Sequence, residues 1–139
     1  MKNLKDKVIA ITGGATGIGF ALAKNLGLEG AKIIIGEPRE EKLQEAFKSL
    51  TDLDIEANCS RLDVTDLKSV ENFAKFTCDC FGHVDILINN AGISAGQGQI
   101  YKANIEDARK VFDVNFFGVW HGCAAFSKIM ISQGSKAAI

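Results

Sequence analysis

Proline is almost missing from this sequence. Pro38 stands alone in 139 residues, so no proline-rich linker divides the chain. There is one tyrosine, Tyr101, one tryptophan, Trp120, and only two histidines, His83 and His121. An excess of one charge is missing too: 16 basic residues face 17 acidic ones, for a formal net charge of -1. Such a balance gives no general attraction to nucleic acid or to an anionic membrane surface.

Long hydrophobic runs are also scarce. The apolar stretch after Lys7 is only Val8-Ile9-Ala10-Ile11, too short for the core of a signal peptide. Residues 112–131 are more apolar, but they carry Asp113, Asn115, His121 and Lys128 and read as a helix packed in protein rather than lipid. A cytoplasmic protein with no membrane or nucleic-acid partner is expected. The four cysteines, Cys59, Cys78, Cys80 and Cys123, form no C-x-x-C pair. With two histidines to help them they lack the ligand spacing of a zinc site, so reduced structural thiols and no metal are expected.

What the chain does have is 14 glycines and short β-branched runs that alternate with helical ones. Its length suits one domain, residues 1–139. Residues 7–12 read as a strand buried on both faces, followed by a glycine turn and a helix over about 18–29 with Ile18, Ala21, Leu22 and Leu26 on one face. A second strand fits 31–36, and Pro38 suits the first turn of a helix reaching Leu50. A third strand at 55–62 leads to a helix at 67–81, capped by Asp66 and closed by Gly82. The fourth strand is 84–89. After a glycine-bearing loop at 91–103, Asn104 and Asp107 form a capping box for a long helix over 105–132, ended by Gly134. The final SKAAI begins another strand. The alternation predicts an α/β fold with a parallel sheet.

The stretch AITGGATGIGFALA, residues 10–23, places Gly13, Gly17 and Gly19 between the first strand and its helix. The spacing departs from G-x-G-x-x-G. Its physics is the same, because a turn without Cβ atoms lets the backbone approach a ligand while the helix end offers free N–H groups to an anion. Glu37, 18 residues after Gly19, ends the second strand where an acid would hold ribose hydroxyls. Asn115 lies between Val114 and Phe116; as a buried amide it would need partners, since an unpaired one costs about 1–3 kcal/mol.

TGGATGIG, then LDVTD, then ILINNAG, each at a strand end, resemble the short-chain dehydrogenase/reductase family over essentially the whole chain, as the N-terminal half of a family member. The resemblance implies a Rossmann-type fold, a doubly wound parallel sheet in three α/β/α layers, incomplete after the fourth strand and its long helix. It implies that Thr12, Gly13, Thr16, Gly17, Ile18 and Gly19 form the pyrophosphate turn. Asp63 and Val64 would contact the adenine, and Asn89, Asn90, Ala91 and Gly92 would steady the sheet and line the cofactor. Asn115 would belong to a proton relay. A carboxylate at Glu37 favours NAD and repels the 2′-phosphate of NADP. The position before the second glycine, basic in relatives that prefer NADP, is Thr16, and Arg39, beyond Pro38, is discounted.

The family's chemistry also needs a serine and a Tyr-x-x-x-Lys pair, in which the lysine lowers the pKa of a phenol. Tyr101 is followed four residues later by Ile105, so no match exists, and the 139 residues alone are expected to be inactive. The expected function is an NAD-dependent alcohol/ketone oxidoreductase of which this chain supplies the cofactor half. A non-catalytic dinucleotide-binding or interaction protein and an S-adenosylmethionine-dependent transferase stay open beside it. The helix 105–132, with Phe112, Phe116, Phe117, Trp120 and Phe126, is expected to bury its aromatic side against the missing half of the fold or a partner chain in a homo-oligomer, and Gly118 and Gly122 would let another helix come close.

Overall fold

The computed structural model describes residues 4–94 and 99–139. Four parallel strands, β1 (Val8–Thr12), β2 (Lys32–Glu37), β3 (Ala57–Arg61) and β4 (Ile86–Ile88), form one sheet in the order β3-β2-β1-β4. Period-two alternation sends successive residues to opposite faces. Ile9, Ile11, Ile33 and Ile35 pack on one side with Ala23, Leu43 and Leu50, which come from α1 (Gly17–Leu28) and α2 (Glu40–Thr51). Ala10 and Ile34 face the other way, into a cluster with Val70, Phe73 and Phe126 from α3 (Leu67–Phe81) and α5 (Gly118–Gln133). Both faces are therefore covered, and each buried isoleucine contributes about 1.5–3 kcal/mol. Phe73 and Phe126 meet at 5.9 Å between ring centroids and tie α3 to α5.

Because β2 lies on one side of β1 and β4 on the other, the chain reverses its direction of winding at β1. A crevice opens at the carboxyl ends of strands at such a point. The opposite end of the sheet is fastened by Asp85, which is 4% exposed. Its carboxylate accepts from Lys7 Nζ at 2.7 Å, from the Val8 N–H at 2.9 Å and from His83 Nε2 at 2.9 Å. Burial alone would raise the Asp85 pKa. The hydrogen bonds from Lys7 and Val8, with the charge of Lys7, outweigh burial and hold it below its ordinary value.

Several local expectations need correction. The helix expected over 105–132 is α4 (Ile105–Phe112), then a π turn over Asp113–Phe117, then α5. Asn104 caps α4 through the Glu106 N–H at 2.9 Å, but Asp107 faces Lys110 at 3.6 Å instead of turning back to complete a box. Ile18 is 76% exposed rather than part of the α1 core face, whereas Leu22 and Leu26 are half-buried. Gly118 and Gly122 bring α5 against its own chain: a Cβ on Gly118 would lie 2.7 Å from Val64 Cγ2, and one on Gly122 would lie 2.1 Å from Asn89 Oδ1. Part of the loop expected over 91–103 lies outside the described residues, and Ile100–Lys102 form a 3-10 turn. In SKAAI, Ala138 pairs in parallel with Ile86. Among the described residues no helix is long and apolar enough to cross a membrane.

Candidate functional site

A cleft of about 630 Å³ lies at the carboxyl ends of the strands. Gly13, Thr16, Ile18, Glu37, Asp63, Val64, Asn90, Ala91 and Gly92 all line it. Four separate segments, each following a different strand, thus meet at one place.

Thr12 does not line the cleft but holds it together from below, at 2% exposure. Its Oγ1 accepts from the N–H groups of Asn90 and Ala91, both at 3.0 Å. Asn90 Nδ2 returns two hydrogen bonds, to the carbonyls of Thr12 at 3.0 Å and Gly13 at 3.1 Å. The turn after β1 is thereby joined to the turn after β4. Close approach explains Gly19, where a Cβ would sit 2.2 Å from the Gly13 carbonyl oxygen. Gly17 has the opposite surroundings: φ is +55° and nothing lies within 4 Å of its missing Cβ. Thr16 occupies the N-cap of α1, yet its side chain makes no capping bond. Thr16 thus leaves the first N–H groups of α1 without a side-chain cap, at the positive end of the helix dipole. These features fit the pyrophosphate of a dinucleotide.

Glu37 ends β2 with only 3% of the residue exposed. Its Oε1 accepts from Arg39 Nε at 2.6 Å and from the Arg39 N–H at 3.3 Å. Arg39 Nη2 in turn donates to Thr16 Oγ1 at 3.3 Å. The hydrogen bond and charge of Glu37 raise the already high Arg39 pKa, so the guanidinium stays charged. Arg39, discounted from the sequence as a phosphate contact, lines the cleft and bridges two of the expected site residues. Pro38 turns the chain there and brings the long side chain back over β2.

Asp63 is exposed, and its Oδ1 accepts from the N–H and hydroxyl of Thr65 at 2.9 and 2.7 Å. Capping of α3 falls to Asp66, through the Lys68 N–H at 3.0 Å, which separates the two acids into different tasks. The Val64 carbonyl receives His121 Nδ1 at 2.8 Å, while Gly118 packs on the Val64 side chain. His121 is a support that local pattern could not reveal, because it lies 57 residues away along the chain.

Asn115 departs from expectation in one respect. It is exposed, not buried, and both ends of its amide are engaged: Nδ2 donates to the Ile93 carbonyl at 2.8 Å and Oδ1 accepts from the Ile93 N–H at 2.9 Å. It sits within the π turn, a distortion often found at functional sites. Asn89 Nδ2 reaches Cys123 Sγ at 3.7 Å, and its buried Oδ1 has no hydrogen-bond partner among the described residues. Burial raises the thiols of Cys59, Cys78 and Cys80, which makes them poor nucleophiles near neutrality. Among the described residues no cluster of three or more His, Cys, Asp or Glu could hold a metal ion.

The sequence matches the family described as short chain dehydrogenase over residues 7–139. It is 33% identical over 139 residues to the uncharacterized oxidoreductase YxnA of Bacillus subtilis, covering 100% of this chain and 39% of that protein. A short chain dehydrogenase/reductase from Burkholderia phymatum, solved in complex with NAD, superposes with a TM-score of 0.93 at 34% identity, covering 99% of this chain and 48% of that one. An NAD+-bound xylitol dehydrogenase gives a TM-score of 0.93 at 30% identity, covering 99% and 53%. The chain thus spans about half the length, or less, of the proteins it matches.

Proposed function

The chain belongs to the short chain dehydrogenase family, and on that premise we propose that it is the cofactor-binding half of an NAD-dependent oxidoreductase acting on an alcohol or ketone. The convergence of the four strand-end segments on one cleft carries this reading. The N–H groups of Gly17, Ile18 and Gly19 would receive the pyrophosphate, with Thr12, Gly13 and Thr16 shaping the turn. Glu37 would accept the ribose hydroxyls, Asp63 and Val64 would hold the adenine, and Asn90, Ala91 and Gly92 would line the cofactor further along. Nicotinamide, when bound, supplies or accepts the hydride. Asn115 keeps the main chain at Ile93 in place and is proposed as the relay residue of the longer enzyme.

Two related readings belong to the same proposal. The protein is cytoplasmic, and it self-associates through the helical segment 105–132, where Phe112, Phe116, Phe117 and Trp120 are 63%, 55%, 48% and 65% exposed. The second functional reading, a non-catalytic dinucleotide-binding protein, is favoured by one observation. The sole tyrosine, Tyr101, is exposed on the 3-10 turn and has Ile105, not lysine, four residues on.

Titration with NADH, followed by nicotinamide fluorescence, should saturate, and Glu37→Ala should weaken binding about tenfold or more. S-adenosylmethionine should not compete. Saturation by S-adenosylmethionine with no response to NADH would sink the reading. The 139 residues purified free of longer forms should show no NAD-dependent alcohol oxidation. Turnover would overturn that part.

A further inference from the structure

The turn after β3 is held from three directions. The Leu62 N–H donates to the Glu37 carbonyl of β2 at 3.2 Å. The Asp63 N–H donates to Ser69 Oγ of α3 at 3.0 Å. From α5, His121 Nδ1 lies 2.8 Å from the Val64 carbonyl oxygen; a carbonyl only accepts, so the ring donates there. Gly118 lets α5 come this close, since a Cβ on it would lie 2.7 Å from Val64 Cγ2. We propose that His121 is a positioning residue for base recognition, holding the Val64 main chain so that this corner of the cleft takes adenine and refuses a 6-oxopurine. This rests on the dinucleotide reading of the cleft given above.

The turn held in this way offers one acceptor and one donor. Asp63 commits Oδ1 to Thr65, while its Oδ2 has no hydrogen-bond partner among the described residues. The Val64 N–H has none among them either. Both residues line the cleft. One edge of adenine is the complement, an amine that donates beside a ring nitrogen that accepts. A 6-oxopurine reverses both groups, setting an oxygen against the carboxylate and an N–H against the N–H. Telling the two bases apart requires a turn of fixed geometry, because a turn free to rotate can meet either base through water. Ser69 fixes the main chain at Asp63, and His121 fixes it at the far side of Val64. Packing of Gly118 on the apolar Val64 side chain sets a distance, whereas the hydrogen bond from His121 sets the direction of the peptide plane.

The test is calorimetric titration of 5′-AMP and 5′-IMP into the chain and its His121→Leu, His121→Ala and His121→Asn variants, each checked for folding by circular dichroism. The unmodified chain should prefer 5′-AMP by at least about tenfold. His121→Leu should cut that preference at least about fivefold, chiefly by weakening 5′-AMP. His121→Asn restores a donor near the place of Nδ1 and should keep the preference within about twofold. His121→Ala removes the donor without adding bulk and gives the same comparison if leucine prevents folding. A merely structural role for His121 would weaken both nucleotides together. That result, a preference unmoved by the loss of the ring, an asparagine variant as indiscriminate as the leucine one, or an unmodified chain that binds the two nucleotides alike overturns the inference, and NADH binding then leaves the dinucleotide reading standing. Failure of the folded chain to bind either nucleotide or NADH overturns both.

Discussion

Replacing Thr12 by valine tests how the cleft is held together. Valine has nearly the same shape and suits a strand at least as well, so packing in β1 should survive. The hydroxyl oxygen is lost, and with it the acceptor for the N–H groups of Asn90 and Ala91, both at 3.0 Å. An orphaned buried donor costs about 1–3 kcal/mol. Asn90 and Ala91 are only half-buried, so water can reach part of the gap and the lower half of that range applies to each. The sum is about 2–4 kcal/mol, a large fraction of the 5–15 kcal/mol typical of a domain. Urea unfolding, followed by Trp120 fluorescence and far-ultraviolet circular dichroism, should show a midpoint lower by roughly 1–2 M with an unchanged slope. Thr12→Ser keeps the oxygen and loses a methyl, for a cost near 1 kcal/mol. NADH binding should fall further in the valine variant than in the serine one. A valine variant within about 0.5 kcal/mol of the unmodified chain, or a serine variant as damaged, would refute the assignment of Thr12 as the fastening between the two turns.

Asp85 should shape the acid limb of stability. Its folded pKa lies below the ordinary 3.8, so its contribution is present above that value and lost as pH falls through the folded one. The stability gap between the unmodified chain and Asp85→Asn should therefore be widest above about pH 5 and close below about pH 4 in urea titrations; a gap independent of pH would contradict this. Gly122→Ala places a Cβ 2.1 Å from the present position of Asn89 Oδ1. The amide must turn away, at a cost of about 1–3 kcal/mol, and a thermal midpoint equal to that of the unmodified chain would mean that α5 does not press on Asn89. Trp120→Glu should lower the sedimentation coefficient if the exposed aromatic side of the 105–132 segment is an interface; an unchanged coefficient would point elsewhere.

The sheet was legible because its strands advertise themselves. Val8-Ile9-Ala10-Ile11 and Ile33-Ile34-Ile35 are β-branched runs that a strand buried on both faces requires. β3 is different: Ala57–Arg61 reads ANCSR, is mostly half-buried at the sheet edge, and has no β-branched run to mark it. The cleft could be anticipated because its residues sit at strand ends, where topology brings them together. Arg39 could not, since its reach to Thr16 depends on a turn at Pro38 and on a long flexible side chain. Asn115 misled for a related reason. Its neighbours Phe116 and Phe117 are themselves 55% and 48% exposed, so local apolarity did not mean burial.

The π turn at Asp113–Phe117 works as a phase shift between two helices. One residue of an α-helix corresponds to about 100° of rotation. The turn lets Asn115 point at Ile93 while Gly118 and Gly122, a few positions later, still face Val64 and Asn89. Deleting one residue between Val114 and Phe117 would restore a uniform helix and rotate everything beyond it. Bulkier side chains would then be driven into Val64 and Asn89, and His121 would swing away from the Val64 carbonyl. The segment is sensitive to a change in its length as well as to the loss of the Asn115 amide.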